Sequence, residues 1–439
     1  MNFIHTADWH LGNQMHDIDR KIESQQFLIW LKKQIIAKNA ETLVVAGDIF
    51  DTVNPPIEAR KLYYTFLASL VETCCKNVVI IAGNHDSSAM LESSKELLDV
   101  LNIHVVGSIS SFSPDFSPAD FCFELKDSNQ QTCGICMAVP FVREVDLRNF
   151  ISGSQKCEDK DLYAVAYKNL YEQVFREAER IRGDKKIPII ATGHLYAADL
   201  EGRLAEKKSN EKCDDGMKVL DVLGTLGNVP SSVFPAADYV GLGHIHYSTM
   251  VAKNPRIRYS GSPFVMGFDE AEIPHHVLFC ELTEDPAKDF AQNKFLLDVE
   301  KIQTPRTFVY KRISGTLLQV KECLENLNLS EGEEKKSVYL ELCYKREIGL
   351  NAQEYLSESI KALPENVSVV SWKVLDAQHF LSSSAGFTNF DSQEIKNLDD
   401  REIFTQLILS KSGLEKDSEE GKKILEKFLP LFLQVSEES

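Results

Sequence analysis

The sequence predicts an α/β chain in three parts: a layered core over residues 1–285, a small α+β domain over 286–380, and a helix pair over 398–439 beyond a linker at 381–397. Three observations predict it. Through the first part, short apolar runs rich in β-branched residues alternate with amphipathic helical patterns, as when helices are layered on a sheet. From about residue 306 the order becomes strand, helix, strand, helix, strand, in a stretch of about 70 residues. Beyond 397 only two apolar-faced helical patterns remain.

The runs at 3–7, 42–46, 77–82, 187–192 and 238–242 end at Gly, Asp or His and read as buried strands. Between them, Ile22, Trp30, Leu31 and Ile35 recur at helical spacing in 20–37, and Leu62, Phe66 and Leu70 in 58–73. Residues 159–182 do the same with Leu162, Ala166, Leu170 and Val174. In such folds the functional residues collect at the carboxyl ends of strands, where loops carry them. In the second part, 307–313, 337–344 and 367–375 read as strands. Residues 381–392 have linker composition. One terminal helix then carries Leu398, Ile403, Phe404, Leu407 and Ile408, and the other Ile424, Leu425, Phe428, Leu429 and Phe432. Two such helices cannot bury their faces alone. They fold back or dock on a partner. The partner is the favoured reading, with Ile403, Phe404, Leu407, Ile424, Leu425 and Phe428 as candidate contacts.

Composition narrows the function. The 439 residues are 43% hydrophobic and 26% charged, which excludes wholesale disorder. Domains of roughly 100–200 residues allow two or three of them. With 48 basic against 66 acidic residues the net charge is −18. Contact with nucleic acid therefore needs a local basic patch or help from a partner chain. The ten cysteines suggest no disulfide framework. Cys133-Gly-Ile-Cys136 is a lone CxxC without the second pair of a zinc knuckle, and buried strand residues are the favoured reading. Residues 1–8 carry no basic and apolar leader pattern, and no run approaches the about 18 apolar residues of a membrane span. A reducing cytoplasm is expected. No repeat is visible, and without a G-x-x-x-x-G-K-S/T loop the chain is not expected to bind ATP in that way.

Five strand ends finish in metal-type ligands: Asp8-Trp-His10, Gly47-Asp48, Gly83-Asn84-His85-Asp86, Gly193-His194 and Gly243-His244-Ile-His246. Alternate residues of an extended chain point the same way, so Asp8 with His10, and His244 with His246, can each aim two groups at one centre. The donors are imidazole, carboxylate and one amide, with no thiolate, a set that suits Mn²⁺, Fe or Zn²⁺ better than a structural zinc. Seven ligands exceed one tetrahedral ion but fit two ions sharing a carboxylate. Two such ions about 3.5–4 Å apart clamp an in-line displacement at phosphorus. Taken singly, a strand-terminal Asp is a turn residue and a lone His is surface or satisfied core. His5, His16, His104, His275, His276 and His379 are read that way. The joint occurrence of five ordered motifs is what points to chemistry.

The set D-x-H, G-D, G-N-H-D, G-H and G-H-x-H resembles the calcineurin-like metallophosphoesterase superfamily. Asp8-Trp-His-Leu-Gly12, Gly47-Asp-Ile-Phe-Asp-Thr52 with Pro55-Pro56, and Tyr259-Ser-Gly-Ser-Pro263 with Phe268-Asp-Glu270 narrow the likeness to SbcD-type nuclease subunits. These work with SbcC in bacterial DNA repair. The likeness spans residues 1–285 and runs more loosely through a capping domain and the helix pair. It implies that Asp8, His10, Asp48 and His246 hold a first divalent metal, and Asp48, Asn84, His194 and His244 a second. Mn²⁺ is the expected ion, with Mg²⁺ as the alternative. His85 is implied to face the scissile phosphate, where it stabilises the transition state or protonates the leaving oxygen. Asp86 either orients His85 or caps a turn. Relatives acting on DNA ends often carry a histidine three residues after the bridging Asp; here that position is Asp51, as in SbcD-like sequences generally.

The phosphoprotein phosphatases of the superfamily carry G-D-x-x-D-R-G and G-N-H-E. Thr52 stands here where that arginine falls, and Asp86 where the Glu falls, which favours a nuclease. Arg143, Arg148, Lys253, Arg256 and Arg258 are candidate DNA contacts; each on its own reads more readily as a solvated charge, and their position beside the loops of the site is what suggests a basic rim. The resemblance further implies 3′→5′ exonuclease action on duplex ends, endonuclease action on single strands or hairpins, and an SbcC-like coiled-coil ATPase gripped by the terminal helices. It also implies a homodimer through 58–73 and 87–101, unless those faces merely pack on the sheet. Two rival readings are a small-substrate phosphodiesterase, which would not need the C-terminal third, and a catalytically silent DNA-end scaffold, which would not need every ligand intact.

Overall fold

The computed structural model describes residues 1–16, 18–109, 116–151, 159–197, 229–286, 295–345, 350–375 and 427–428. In chain order it opens with β1 (Asn2–Thr6), the short β2 (Gln14–Met15) and β3 (Ile18–Asp19), α1 (Lys21–Ala37), β4 (Thr42–Ala46), α2 (Ile57–Leu70) and β5 (Asn77–Ile81). Next come α3 (Ser88–Glu92), α4 (Lys95–Asp99), β6 (Ile103–Val106), β7 (Cys122–Lys126), β8 (Thr132–Met137), α5 (Glu144–Leu147), α6 (Asp159–Arg182), β9 (Ile189–His194) and β10 (Tyr239–Gly243). β11 (Thr249–Val251), β12 (Asn254–Tyr259), β13 (His276–Glu284) and β14 (Phe295–Gln303) complete two six-stranded sheets.

The first sheet runs β14-β13-β1-β4-β5-β6 and the second β11-β12-β10-β9-β8-β7. Strands β1, β4, β5 and β6 are mutually parallel, as are β12, β10, β9 and β8, so the carboxyl ends within each set share one edge. Buried parallel strands need apolar side chains on both faces, which is why these segments read as continuous apolar runs. In β1, Phe3 faces the inter-sheet core with Val44 and Val79, while Ile4 faces the opposite core with Phe27 and Leu31 of α1 and Tyr63 and Phe66 of α2. Tyr171 and Val174 of α6 join the inter-sheet cluster from beyond the second sheet.

Sequence and structure part company in a few places. β14 lies beyond residue 285 yet pairs with β13 from His276 with Gln303 to Glu284 with Phe295. As an edge strand it is half polar and shows no apolar run. The expected helix 87–101 is two five-residue helices, broken where Ser94 leaves helical backbone at φ −118. On α1, Ile22 is 57% exposed; the buried face is Phe27, Leu28, Leu31 and Ile35. Cys133 and Cys136 lie on β8, and the cysteines among the described residues are free thiols.

The chain divides into two compact units: Met1–Arg312 with Asn328–Glu341 and Pro364–Ser371, and Ile313–Leu327 with Leu342–Leu363 and the described residues from Trp372 on. The strands Val309–Gly315, Val338–Tyr344 and Val367–Val374 make a three-stranded sheet in that order, with the helices Leu317–Glu325 and Ala352–Lys361 as the two connections. Of the candidate partner contacts, Ile403, Phe404, Leu407, Ile424 and Leu425 lie outside the described residues, as does the linker. Phe428 is described and is 41% exposed. No helix among the described residues is long and apolar enough to cross a membrane.

Candidate metal centre

The loops after β1, β4, β5, β9 and β10 meet at the shared strand edge, three from the first sheet and two from the second. The loops after β1 and β4 are stitched together by backbone bonds from Asp8 N to Gly47 O (2.9 Å) and His10 N to Asp48 O (3.0 Å). Asp8, His10, Asp48 and His244 have positive φ of 53°, 43°, 51° and 97°. Such left-handed backbone costs non-glycine residues of order 1–3 kcal/mol each and persists only where the surroundings impose it. Here it replaces the expected extended geometry: Asp8 and His10 converge because both turn. Trp9 between them is fully buried, edge-on to Phe27 and Phe66, with Nε1 donating to Thr6 Oγ1 at 3.0 Å.

Seven side chains are gathered. Asp8, His10 and His246 bring ligand atoms within reach of one point, as do Asp48, His194 and His244. Asp48 stands between the groups, its Oδ2 3.3 Å from His194 Nε2 and 3.7 Å from His10 Nε2. Asn84 Oδ1 lies 3.1 Å from His194 Nε2 and 3.0 Å from His244 Nδ1. Bonds of about 2.1 Å from one cation to two ligands at right angles put those ligands about 3 Å apart, so these spacings suit a shared ion. Asp8 Oδ2 and both ring nitrogens of His10 are buried without a hydrogen-bond partner; Asp8 Oδ2 and His10 Nε2 fit atoms reserved for a metal, while His10 Nδ1 has the Asp51 carboxylate at ion-pair distance, 3.3 Å. Gly83 permits the approach, because a Cβ there would collide with the Asp48 carboxylate and backbone nitrogen.

The ionisation pattern follows from burial and neighbouring charge. Burial pushes the Asp8 carboxyl up to about 7, helped by Asp48 and opposed by the His194 and His10 imidazoles. Burial acts the same way on Asp48, but His194 and His10 outweigh it and hold its carboxyl well below the usual range. For His194 burial opposes the proton, yet Asp48 and Asp8 prevail and raise it to about 9. Burial and then repulsion from His194 lower His244 to about 4; burial and then His10 lower His246 to about 3. Ligands in such a cluster exchange protons for cations.

His85 is exposed at the mouth of the site, its ring 4.9 Å from that of His10 and its amide donating to Asp48 Oδ1 at 2.9 Å. Its Nδ1 lies 2.8 Å from the Asp51 carbonyl, which can only accept, so Nδ1 is the donor in that bond and Nε2 is the other ring nitrogen. Asp86 does not orient it. The Asp86 carboxylate accepts from the backbone amides of Ile49, Phe50 and Gly83 at 2.9–3.0 Å, tying the Asp48 loop to the Asn84 loop. Asp51 is the residue that the motifs alone left without a role. Its carboxylate is 3.3 Å from His10 Nδ1 and its carbonyl meets His85. Its only signal in the sequence is its place three residues after Asp48.

The basic candidates scatter. Arg256 donates to two backbone carbonyls, Asp238 O at 2.7 Å and Phe295 O at 2.5 Å. Arg258 donates to Pro255 O at 2.6 Å, and Arg143 is exposed but paired with Asp146 at 2.8 Å. Arg148 and Lys253 are exposed.

Residues 1–248 match the family model for calcineurin-like phosphoesterases. Among curated proteins, the SbcD chain of the SbcCD nuclease from Escherichia coli is 32% identical over 376 residues, covering 84% of this chain and 83% of that protein. The counterpart from Rhodobacter capsulatus is 33% identical over 285 residues, 64% of this chain and 66% of that one. The Bacillus subtilis counterpart is 30% identical over 273 residues, 62% and 63%.

Proposed function

Because the chain belongs to the calcineurin-like phosphoesterases, and within them to the SbcD-type nuclease subunits, we propose that it hydrolyses DNA phosphodiester bonds at a centre built around Asp48. The observation that carries the mechanism is the convergence of five loops from two sheets on that one carboxylate. In this reading Asp8, His10, Asp48 and His246 hold one divalent cation, and Asp48, Asn84, His194 and His244 the other, Mn²⁺ before Mg²⁺. When bound, such a pair acidifies water and offsets charge on the phosphoryl oxygens.

The chain's own groups do the rest. His194 Nδ1 lies 2.9 Å from the Ala46 carbonyl, which fixes Nε2 as its ligand atom. His244 N donates to Asp8 Oδ1 at 2.9 Å and aims that carboxylate. In this reading His85 Nε2 faces the scissile phosphate and, with the ring in its doubly protonated form, gives its Nε2 proton to the leaving oxygen.

The finer assignments are 3′→5′ exonuclease action on duplex ends and endonuclease action on single strands or hairpins, in DNA repair with an SbcC-like coiled-coil ATPase. A homodimer through α2 and the α3–α4 segment is supported by Ile57, Leu97 and Val100, exposed by 69%, 69% and 80%. Work of this kind on chromosomal DNA would place the chain in the cytoplasm.

The test is cleavage of an end-labelled DNA hairpin by the purified chain with Mn²⁺, beside His85→Gln and Asp48→Ala. Cleavage lost in both variants supports the reading. Hydrolysis of bis-p-nitrophenyl phosphate alone, with DNA intact even in the presence of the ATPase and ATP, would overturn it.

A further inference from the structure

Behind the centre lies a buried ion pair that holds none of the expected ligands. Arg20 and Glu23 are only 3% and 4% exposed, with Arg20 Nε donating to Glu23 Oε2 at 2.7 Å and Nη2 at 2.6 Å from the same oxygen. The guanidinium is packed 5.2 Å from the Phe264 ring and 5.9 Å from that of Tyr310. Desolvating two charges costs several kcal/mol per ion, and apolar residues of similar volume serve stability as well or better. The pair therefore needs a reason besides stability, and its remaining donor supplies one.

Arg20 Nη1 donates to Asn13 Oδ1 at 3.2 Å, and Asn13 Nδ2 donates to Asp51 Oδ1 at 2.9 Å. Arginine offers only donors and an ionised aspartate only acceptors, so the residue between them must accept on one side and donate on the other. An amide does both, and its orientation is set by the two charges. The same Asp51 oxygen stands 3.3 Å from His10 Nδ1, while the Asp51 carbonyl is 2.8 Å from His85 Nδ1. One residue thus steadies two imidazoles: His10, whose Nε2 is left towards Asp48, and His85, whose Nε2 is left towards the mouth. A carboxylate behind a metal-bound histidine fixes its tautomer and raises its basicity.

We propose that Asn13 and the Arg20–Glu23 pair are positioning residues, a relay that holds Asp51 so that His10 presents Nε2 to the first metal. This rests on the two-metal reading above and assigns the relay's output, which is cation affinity.

The test is calorimetric titration of Mn²⁺ into the metal-free protein, with thermal unfolding of each metal-free sample. The variants are Asn13→Ala, which leaves the ion pair intact, and the double substitution Arg20→Met with Glu23→Met, which removes both charges while keeping volume. Both are expected to bind one Mn²⁺ equivalent 10–100-fold more weakly, the range for loss of a ligand's supporting partner. The ¹⁵N signals of His10 in Asn13→Ala should move from a single Nδ1–H form to a mixture, a change that loosened packing alone would not produce. Mn²⁺ affinity within threefold of wild type in Asn13→Ala overturns the relay. Weakened binding in Asn13→Ala with the double variant unchanged ends the relay at Asn13 and overturns the part given to Arg20. Asp48→Ala is the control. If it binds Mn²⁺ like wild type, the metal centre itself falls, a failure distinct from that of the relay.

Discussion

His194 Nδ1 and the carbonyl oxygen of Ala46 are 2.9 Å apart, so the tip of β9 in one sheet is fastened to the end of β4 in the other through a candidate metal ligand. The same imidazole faces Asp48 through Nε2. It therefore carries a proton in the metal-free protein that a cation must displace.

That proton makes cation binding depend on pH. With His194 raised to about 9 by Asp48, Mn²⁺ binding at pH 7 should release a proton, visible as a dependence of the calorimetric enthalpy on the buffer's ionisation enthalpy. Apparent affinity should rise by up to about tenfold per pH unit until pH 9 for a one-proton exchange. The stability of the metal-free protein should move the other way. His194 is raised above its unfolded value, so its contribution is complete below about pH 6.5 and is lost as pH rises through about 9. Asp8, raised to about 7, loses its own contribution as pH climbs from about 3.8 through 7. Melting temperatures of metal-free protein that rose from pH 8 to pH 9, above the range in which the lowered histidines act, would contradict the His194 assignment.

Asp86 should behave as a structural residue. Its carboxylate accepts three backbone amides, and Asp86→Ala leaves them without that partner, at about 1–3 kcal/mol for each buried donor. Asp86→Ala is expected to lower stability by about 3 kcal/mol or more and to lose activity through a displaced Asp48 loop. Asp86→Asn, which keeps one acceptor oxygen, should lose less. Chemical denaturation of both variants measures the difference. Equal stability to wild type with a lost pH limb in kcat would restore the orienting role towards His85.

Gly83→Ala is expected to be among the most damaging single-methyl changes. The added Cβ would meet the Asp48 carboxylate and backbone nitrogen, neither of which can swing away. The loop or the bridging ligand must move, and a 1 Å misplacement can cost about 100-fold in rate. Mn²⁺ titration alongside hairpin cleavage should show both affinity and turnover falling.

His5 should govern part of the acid limb of stability. It is fully buried, its Nδ1 2.8 Å from the Tyr239 hydroxyl and its Nε2 without a partner, and burial lowers it to about 3. The unfolded chain takes up this proton near pH 6.5 and the folded one only near 3, so its contribution is complete above 6.5 and erodes as pH falls towards 3. One such group changes stability by up to about 1.4 kcal/mol per pH unit in that window. Denaturant melts at pH 7 and pH 4 should therefore differ less in His5→Phe than in wild type.

The parts legible in the sequence were those with local causes. Buried parallel strands must be apolar on both faces, so β1, β4, β5, β9 and β10 stood out, and glycine beside Asp48, Asn84 and His244 marked the sharp turns where ligands collect. What stayed hidden has tertiary causes. Arg256 reads as a free charge until Asp238 and Phe295, distant in sequence, supply the carbonyls it binds. The same applies to Asp51, whose carboxylate and carbonyl serve two different histidines, and to Arg20 and Glu23, which look like surface charges at the start of a helix. β14 was missed because an edge strand carries half its alternation in polar residues.

Because the ligands are divided between two sheets, the gap between those sheets is itself a catalytic dimension. At the strand edge that gap is held by the smallest side chains available: Ala7 and Ala46 are fully buried in the inter-sheet layer, and a Cβ at Gly243 would strike the Ala46 carbonyl. These residues act as a feeler gauge. A methyl added at Gly243 would press on the Ala46 carbonyl and on His194 Nδ1 together, and so would widen the tolerance to which Asp48 and His194 are set.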